Sequence, residues 1–335
     1  MHVIRARNIN DATREVASLL SNVGREINDH VSTLGPVSTV LHRPLERVNF
    51  NTKMDLDPFE VFFQGLWCLS GRNDVAYMAQ FNPRWRSRST DGDVIWNGLG
   101  ARWRSFFDRD QLEWILRMLS SDPDYTHAMV QCWDPCNDPL APGENPPRDV
   151  VAKFQRGVDD QLDMIVFSAR ADLADPSSAW SFLHEFVASA LGTGAGFAWH
   201  VAGQIRFHSN MLDLTRAIAN SLDHEPCPYH TGGAITTPLV RQDSDSSVWE
   251  GDLAMFMEEP TAVGFRNKFF RKIAKPMFLA AKAYRESEGK DKFDTAFEIL
   301  GQMEERSDWR MAAERWISRR FQTWEEKRTI NGCTK

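Results

Sequence analysis

The sequence predicts an α+β fold, and three features of the chain carry this prediction. Short runs of strand-forming residues occur at positions 128–133, 150–154 and 162–167. A helix is expected over 177–191, after the turn-forming run Asp172-Leu-Ala-Asp-Pro176. Beyond residue 252, apolar residues recur at helical spacing and strand formers are few. Because strands and helices occur in blocks, we expect a mixed β-sheet with packed helices and a C-terminal helical appendage.

The elements before residue 121 follow from apolar spacing and cap residues. A first helix is predicted after Asn10 or Asp11 as its cap, and residues 37–48 alternate like paired strands. Asp57-Pro58-Phe59 opens a helix whose apolar residues lie nearly all round it, so this helix is expected in the centre of the core. A second long helix is predicted over residues 110–120.

Composition bounds the class of protein. The 335 residues are 42% hydrophobic and 25% charged, enough for one large core with a smaller appended unit. The first residues lack the apolar run of a secretory signal, and no stretch approaches a membrane span, so a cytoplasmic protein is expected. A net charge of −7 argues against a nonspecific duplex-binding protein.

The cysteines show no paired spacing, so neither a disulfide framework nor a metal site is predicted. They are Cys68, Cys132, Cys136, Cys227 and Cys333.

Composition also divides the chain into three parts. Residues 1–222 are predicted to form the core, and residues 251–335 a helical C-terminal extension. Between them, residues 223–250 are polar and rich in Pro, Gly, Ser and Asp, which is typical of a linker or long surface loop. Arg84-Trp-Arg-Ser-Arg88 is a basic and aromatic cluster that can hold phosphates or lie in a solvated loop.

Several segments, in order and at matching intervals, resemble the thymidylate synthase and deoxycytidylate (deoxyuridylate) hydroxymethylase superfamily. They are the helix from Asp57 with its following loop, Gly98-Leu-Gly-Ala-Arg-Trp-Arg104, Asp110-Gln-Leu112, Trp133-Asp-Pro135, and the stretches 161–172, 181–185 and 199–208. The resemblance covers about residues 8–215 and implies the thymidylate-synthase fold for this part of the chain.

The resemblance implies chemistry that requires a cysteine at one position. In that family a thiolate adds to C6 of a pyrimidine nucleotide, and C5 then takes a one-carbon unit from methylenetetrahydrofolate. Counting back from Leu162, that position falls in Pro146-Pro-Arg-Asp149, where Arg148 replaces the nucleophile. A guanidinium stays protonated and cannot attack C6. Cys136 is the alternative nucleophile, provided that the residues after it form an insertion.

Other family positions also differ. Gln64 replaces a glutamate and keeps hydrogen-bonding capacity without being a general base, and Leu99 replaces a tyrosine. The family's phosphate-binding Arg-Ser pair falls on Ala169-Arg170, so Arg170 serves only if a one-residue shift or a bulge redirects it. The base-reading asparagine falls at or next to Pro176, and the ribose-binding His-x-Tyr reads Arg206-Phe-His208.

Retained and replaced polar residues together give the candidate site. Asp172, His200, Gly203, Arg102 and Arg104 keep the family residue, and Gln204 stays polar. Candidate polar roles in catalysis fall to Gln64 and Asp172. The predicted ligand-binding residues are Arg102, Arg104, Arg148, Arg170, Asp172, His200, Gln204, Arg206 and His208.

Two explanations of this set stay open. The residues line a site for a different, more anionic ligand, or they pair with Asp149, Asp172 or Glu185 and fill the old cavity. Both avoid a buried arginine without an anionic partner, which would be energetically costly.

Three functional hypotheses follow from the resemblance. The first is a divergent nucleotide-binding protein, a transferase for a pyrimidine nucleotide in a phage-type hypermodification pathway, working without standard cysteine-dependent C5 methylation. The second is a noncatalytic dimeric paralogue that acts as a scaffold or regulatory subunit. The third is C5 methyl or hydroxymethyl transfer rescued by Cys136. The resemblance also implies a homodimer formed through a sheet face, with methylenetetrahydrofolate as a possible donor.

Overall fold

The computed structural model describes residues 1–140, 146–172, 178–220, 226–240 and 246–332. Over these ranges the chain folds into two mixed β-sheets with packed helices, which confirms the α+β prediction. None of the helices in these ranges has the length and apolar character that a bilayer span requires.

The larger sheet has six strands in the order β1-β4-β9-β7-β6-β5 over the described ranges. Its strands are β1 (His2–Ala6), β4 (Val37–Leu41), β5 (Met129–Gln131), β6 (Asp149–Arg156), β7 (Leu162–Ser168) and β9 (Ala195–Ala202). The β1/β4 and β7/β9 pairs are parallel and the others are antiparallel. The predicted runs at 128–133, 150–154 and 162–167 therefore form neighbouring strands β5, β6 and β7.

The smaller sheet has the order β2-β3-β10-β8. Its strands are β2 (Arg25–Ile27), β3 (His30–Ser32), β8 (Ala171–Asp172) and β10 (Ile205–His208). Two residues, Ala169 and Arg170, separate β7 in the larger sheet from β8 in the smaller one. The chain thus crosses between the sheets within one short step.

The helices before the polar segment are α1 (Ile9–Val23), α2 (Pro58–Leu69), α3 (Val75–Ala79), α4 (Leu99–Arg104), α5 (Gln111–Ser121), α6 (Ser178–Ala190) and α7 (Leu212–Ala219). Asp57 caps α2 by accepting from the backbone N–H of Phe59 and Glu60, and Asp110 caps α5 in the same way. Both helices agree with the sequence prediction, which opened α2 at Asp57 and placed α5 over residues 110–120.

Helices α2 and α6 form the centre of the core. Nine of the twelve residues of α2 are buried, as its all-round apolar pattern predicts. Gly65 lies so close to the Phe182 ring that an added Cβ would stand 2.7 Å from it. This close approach places the following turn of α2 against the N-terminal half of α6, where the candidate site is built.

The C-terminal region is helical, with α8 (Ser246–Glu258), α9 (Lys275–Glu286), α10 (Asp291–Leu300) and α11 (Asp308–Gly332). Helices were predicted after residue 251, and α8 begins earlier, inside the segment 223–250 predicted as a linker or surface loop. Its apolar residues join the same buried cluster as α2 and α6. Trp309 packs edge-on against Phe62, with ring centroids 5.0 Å apart. The Tyr229 hydroxyl donates to Asp308 Oδ2 at 2.8 Å, so polar contacts also tie α11 to the core.

Two local predictions are wrong. The cap of α1 is Asn8, whose side chain accepts from the backbone N–H of Asn10 and Asp11; these two residues lie in the first turn. The alternating run at 37–48 gives one strand that ends at Leu41, since Pro44 cannot donate a ladder hydrogen bond. Beyond Leu41 the chain turns towards α6, where Ser181 donates to the Pro44 carbonyl at 2.6 Å.

Candidate functional site

A cavity of about 310 Å³ lies between α2, the residues before α4, the N-terminal part of α6 and strands β6, β8 and β9. Its polar and charged lining residues are Gln64, Arg88, Asn97, Arg148, Asp149, Arg170, Asp172 and His200. Its aromatic lining residues are Trp67, Trp85 and Trp180. Among the described lining residues, three guanidinium groups thus face two carboxylates.

Arg148 lies at this cavity, just before β6, and Asp172 lies in β8. The Arg148 guanidinium donates to Asp172 Oδ2 at 2.5 Å, and both side chains stay partly exposed. The predicted replacement of the family nucleophile is therefore an ion-paired arginine. This pair leaves the cavity open, because Arg148 and Asp172 both remain part of its lining.

Arg170 has an unusual electrostatic environment. Its Nε is buried without a hydrogen-bond partner among the described residues. Burial, and then the positive charges of Arg206 and Arg148, lower the pKa of Arg170, and Asp172 only partly offsets this effect. An arginine crowded by like charges and short of acceptors favours an anion in the cavity.

Asp149, Ser168 and His200 form a hydrogen-bonded array on three neighbouring strands. Ser168 Oγ donates to Asp149 Oδ1 and lies 2.6 Å from His200 Nε2. The indole N–H of Trp180 donates to Asp149 Oδ2 at 2.9 Å. Both oxygens of the Asp149 carboxylate are therefore engaged.

Gln64, Trp67 and Cys68 line the cavity from one face of α2. Cys68 is fully buried, and burial raises the pKa of its thiol to about 12. A thiol with this pKa is protonated near neutral pH and is a poor nucleophile.

The other cysteines near the site do not replace the missing thiolate. Cys136 is exposed in a turn where its backbone N–H donates to Asp134 Oδ1 at 2.9 Å, and it is absent from the described cavity lining. Cys132 is buried, and burial raises the pKa of its thiol well above the usual range. This geometry does not support rescue by Cys136.

The predicted ligand-binding residues divide into two groups. Arg148, Arg170, Asp172 and His200 line the cavity, as does Gln64. The predicted residues that do not appear in the described lining are Arg102, Arg104, Gln204, Arg206 and His208.

The residues outside the lining have structural partners. Arg102 is fully buried and donates to Asp138 at 2.6 and 2.9 Å, and Arg104 pairs with Asp110 at 2.9 Å. Gln204 accepts from Ser32 Oγ at 3.1 Å. These contacts position α4 and the small sheet.

Arg206 and His208 lie on β10 of the small sheet. Arg206 is the register partner of Asp172, and the His208 ring lies 5.4 Å from that of His30. Pro176 lies outside the described residues. The binding roles of all the predicted residues stay predictions.

From the sequence, Asp149 was predicted only as a possible ion-pair partner, and Ser168, Asn97 and Trp180 were not predicted as site residues. Arg88 lay in the predicted basic cluster, and the structure places it in the lining with its guanidinium 4.3 Å from the centre of the Trp85 ring. The alternation of Arg and Trp was the available signal for Arg88. No sequence signal was available for the array of Asp149, Ser168 and His200, because the array depends on strand register.

Comparisons with known proteins show which proteins this chain is similar to. No protein-family model matches the chain. The chain is 35% identical over 343 residues to a deoxyuridylate hydroxymethyltransferase of Pseudomonas phage M6, covering 98% of this chain and 97% of that protein. It is 25% identical to a deoxyuridylate hydroxymethyltransferase of Bacillus phage SP01, over 43% of this chain and 40% of that protein. It is also 26% identical to a thymidylate synthase of Francisella philomiragia, over 52% of this chain and 68% of that protein.

Proposed function

The chain belongs to the thymidylate synthase and deoxyuridylate hydroxymethyltransferase family, and from this we propose that it transfers a one-carbon unit to a pyrimidine deoxynucleotide. The phage relative of 35% identity carries the name deoxyuridylate hydroxymethyltransferase, and the match spans nearly the whole of both chains. Deoxyuridylate is therefore the proposed substrate, and a hydroxymethyl group on C5 is the proposed product, within a phage DNA-modification pathway.

The environment of Arg170 is the observation that best supports a nucleotide ligand. Its buried Nε lacks a partner among the described residues, and Arg148 and Arg206 repel it. A phosphate would give this guanidinium its missing acceptor and offset the surplus positive charge. We therefore place the nucleotide phosphate at Arg170.

The rest of the lining suits a pyrimidine ring. Trp67, Trp85 and Trp180 are nearly fully buried and give the cavity flat apolar walls. Gln64 and Asn97 line the same space, and a carboxamide can both donate to and accept from the edge of a base. A flat polar ring linked to a phosphate matches a lining of tryptophans, carboxamides and arginines.

The transfer is proposed to proceed without the standard cysteine adduct. The cysteine in the described lining is Cys68, whose thiol is protonated near neutral pH because its pKa is raised to about 12. Arg148 at the predicted nucleophile position cannot attack C6. Methylenetetrahydrofolate, which the family resemblance implies as donor, would enter as the second substrate.

We also propose a homodimer formed through the outward face of the large sheet. Val151, Phe167 and Val201 are register partners on β6, β7 and β9 and form one row across this face. Phe167 is 41% exposed, whereas its neighbours Val166 and Ser168 on the opposite face are buried. A second copy would cover this apolar row, in agreement with the sheet-face dimer that the resemblance implies.

Light scattering on the purified protein tests the dimer. Phe167→Glu places a charge in the row and is expected to give a monomer mass where the wild type gives a dimer. Glu113→Gln, on the exposed face of α5, is the matched control and should leave the mass unchanged. A monomeric wild-type protein would contradict the proposal.

The activity test incubates the protein with deoxyuridylate and methylenetetrahydrofolate and analyses the nucleotide by mass spectrometry. The expected product is heavier than the substrate by one CH₂O unit. Arg170→Met is expected to raise KM for the nucleotide about tenfold or more, since hydrogen bonds to charged groups are worth about 1.5 to 3 kcal/mol.

The control for that test is Arg117→Met, an exposed arginine paired with Glu113 on α5, which should leave KM unchanged. Absence of product with both deoxyuridylate and deoxycytidylate would contradict the proposed transfer. Nucleotide binding without product would then favour the noncatalytic paralogue.

A further inference from the structure

The array of Asp149, Ser168 and His200 has no role in the function proposed so far. Strand register builds it: Asp149 of β6 is the partner of Ser168 on β7, and β7 pairs in turn with β9, which carries His200. Asp149 and His200 both line the cavity, and Ser168 lies between them. The array therefore connects a partly buried carboxylate to an imidazole at the candidate site.

Donor and acceptor capacity fixes the protons of this array. The Asp149 carboxylate only accepts, and it takes one hydrogen bond from the Trp180 indole and one from Ser168. Because Ser168 has one proton and gives it to Asp149, its oxygen must accept from His200 Nε2 at 2.6 Å. The neutral imidazole then carries its proton on Nε2 and keeps a lone pair on Nδ1.

Few other groups in the lining can accept a proton. Gln64 and Asn97 are amides, and Arg88, Arg148 and Arg170 stay protonated. Asp172 is paired with Arg148, and both Asp149 oxygens are engaged. Among the described lining residues, the His200 imidazole is thus the neutral base, and its tautomer is fixed by Ser168.

We infer that His200 is the catalytic base that removes the C5 proton of the pyrimidine, and that Ser168 and Asp149 are its positioning residues; this inference rests on the proposed function. In the step, C5 forms a bond to the one-carbon unit while the first of the donor's two carbon–nitrogen bonds breaks, and that electron pair stays on nitrogen. The C5 proton passes to His200 Nδ1, and the electron pair of the C–H bond restores the ring double bond. Water then adds its oxygen to the transferred carbon as the second carbon–nitrogen bond breaks with its electron pair on nitrogen, and the two donor nitrogens take up one proton from water and the proton released by His200.

The same array stabilises the charge that this step creates. When Nδ1 gains the proton, the imidazolium donates through Nε2 to Ser168, which in turn donates to the Asp149 carboxylate. This arrangement differs from a nucleophile triad, because the serine lies between the imidazole and the carboxylate and its proton is directed to the carboxylate.

The test measures kcat, KM and the release of deuterium from C5 of 5-deuterated deoxyuridylate into water, in the presence of methylenetetrahydrofolate. His200→Gln is expected to lower kcat and this C5 release at least about 100-fold, a typical contribution of a general base, with KM changed less than about twofold. Added imidazole should restore part of the release. Ser168→Ala should lower kcat less, with KM unchanged. This substitution removes the hydrogen bond that fixes the tautomer of His200, but the imidazole that acts as the base remains.

His127→Gln is the matched control, since His127 is exposed on the loop before β5 and its ring contacts Thr126 and Tyr125. Wild-type kcat and wild-type release of the C5 hydrogen in His200→Gln would overturn the inference and leave the proposed function intact. If His200→Gln does not fold, an unchanged kcat in Ser168→Ala overturns it. A wild-type protein that makes no product refutes the proposed function itself.

Discussion

Replacing Arg47 by Met is expected to destabilise the protein strongly, because it leaves a buried carboxylate without its cation. Arg47 forms an ion pair with Glu185 of α6, and each side chain is 4% exposed. Glu185 Oε1 also accepts the backbone N–H of Leu239 at 2.7 Å, and the Arg47 guanidinium lies 4.6 Å from the centre of the Phe182 ring. The pair thus joins the chain after β4, helix α6 and the segment that leads to the C-terminal helices.

The magnitude follows from the burial of both partners. Removing one partner of a buried ion pair costs about 3 to 5 kcal/mol, because the remaining charge is uncompensated. The Arg47→Met, Glu185→Met double variant removes both charges and leaves mainly the Leu239 N–H without an acceptor, which costs about 1 to 3 kcal/mol. The double variant should therefore be more stable than Arg47→Met alone.

Urea unfolding, followed by tryptophan fluorescence, measures the unfolding free energy of the wild type, the two single variants and the double variant. Arg117→Met, whose exposed pair with Glu113 on α5 is worth little, is the control and should change the unfolding free energy by less than about 1 kcal/mol. If the two single substitutions simply add in the double variant, the ion pair is not coupled and the reasoning is refuted.

Three further predictions concern the exposed Cys136 and two buried titratable groups, Cys68 and His184. Cys136→Ser should leave kcat unchanged, because Cys136 is exposed and lies outside the described lining. A large fall in kcat would instead support Cys136 as the nucleophile. In the folded protein at pH 8, alkylation followed by mass spectrometry should label Cys136 and spare Cys68, whose pKa is raised to about 12 by burial. Burial lowers the pKa of His184 to about 4, so between roughly pH 6.5 and 4 the unfolded chain binds a proton that the folded chain does not. The unfolding free energy should therefore fall by roughly 3 kcal/mol as the pH drops through this window. His184→Gln should lack that part of the slope, and an identical pH dependence in both proteins would contradict the assignment.

Local pattern was enough to predict much of the fold. Asp57 and Asp110 act as caps because the cap and its helix are neighbours in sequence, and β6 and β7 follow from their own strand formers. The end of β4 at Leu41 was missed because apolar alternation continues past it although the chain turns away near Pro44. Propensity reports what a segment can form, and tertiary contacts decide where it stops.

The site was predictable only in part, because several of its contacts join residues that are distant in sequence. Arg102 and Arg104 lie in one glycine-rich segment, yet Arg102 faces Asp138 in the interior, 36 residues away. Sequence alone does not reveal that partner. Asp149, Ser168 and His200 lie on three strands, and their meeting depends on register that one sequence does not specify.

Neighbouring residues at the crossing from β7 to β8 have different structural roles. Phe167 faces outward and Ser168 belongs to the array, whereas Arg170, within the two-residue step between the sheets, and Asp172, after it, line the cavity. Because strand side chains alternate, inserting or deleting one residue here would turn the outward row inward and move the serine away from its partners at the same time. This segment can therefore diverge by substitution but not by a change of length, which makes it the natural anchor for aligning distant relatives and for grafting a new specificity onto this scaffold.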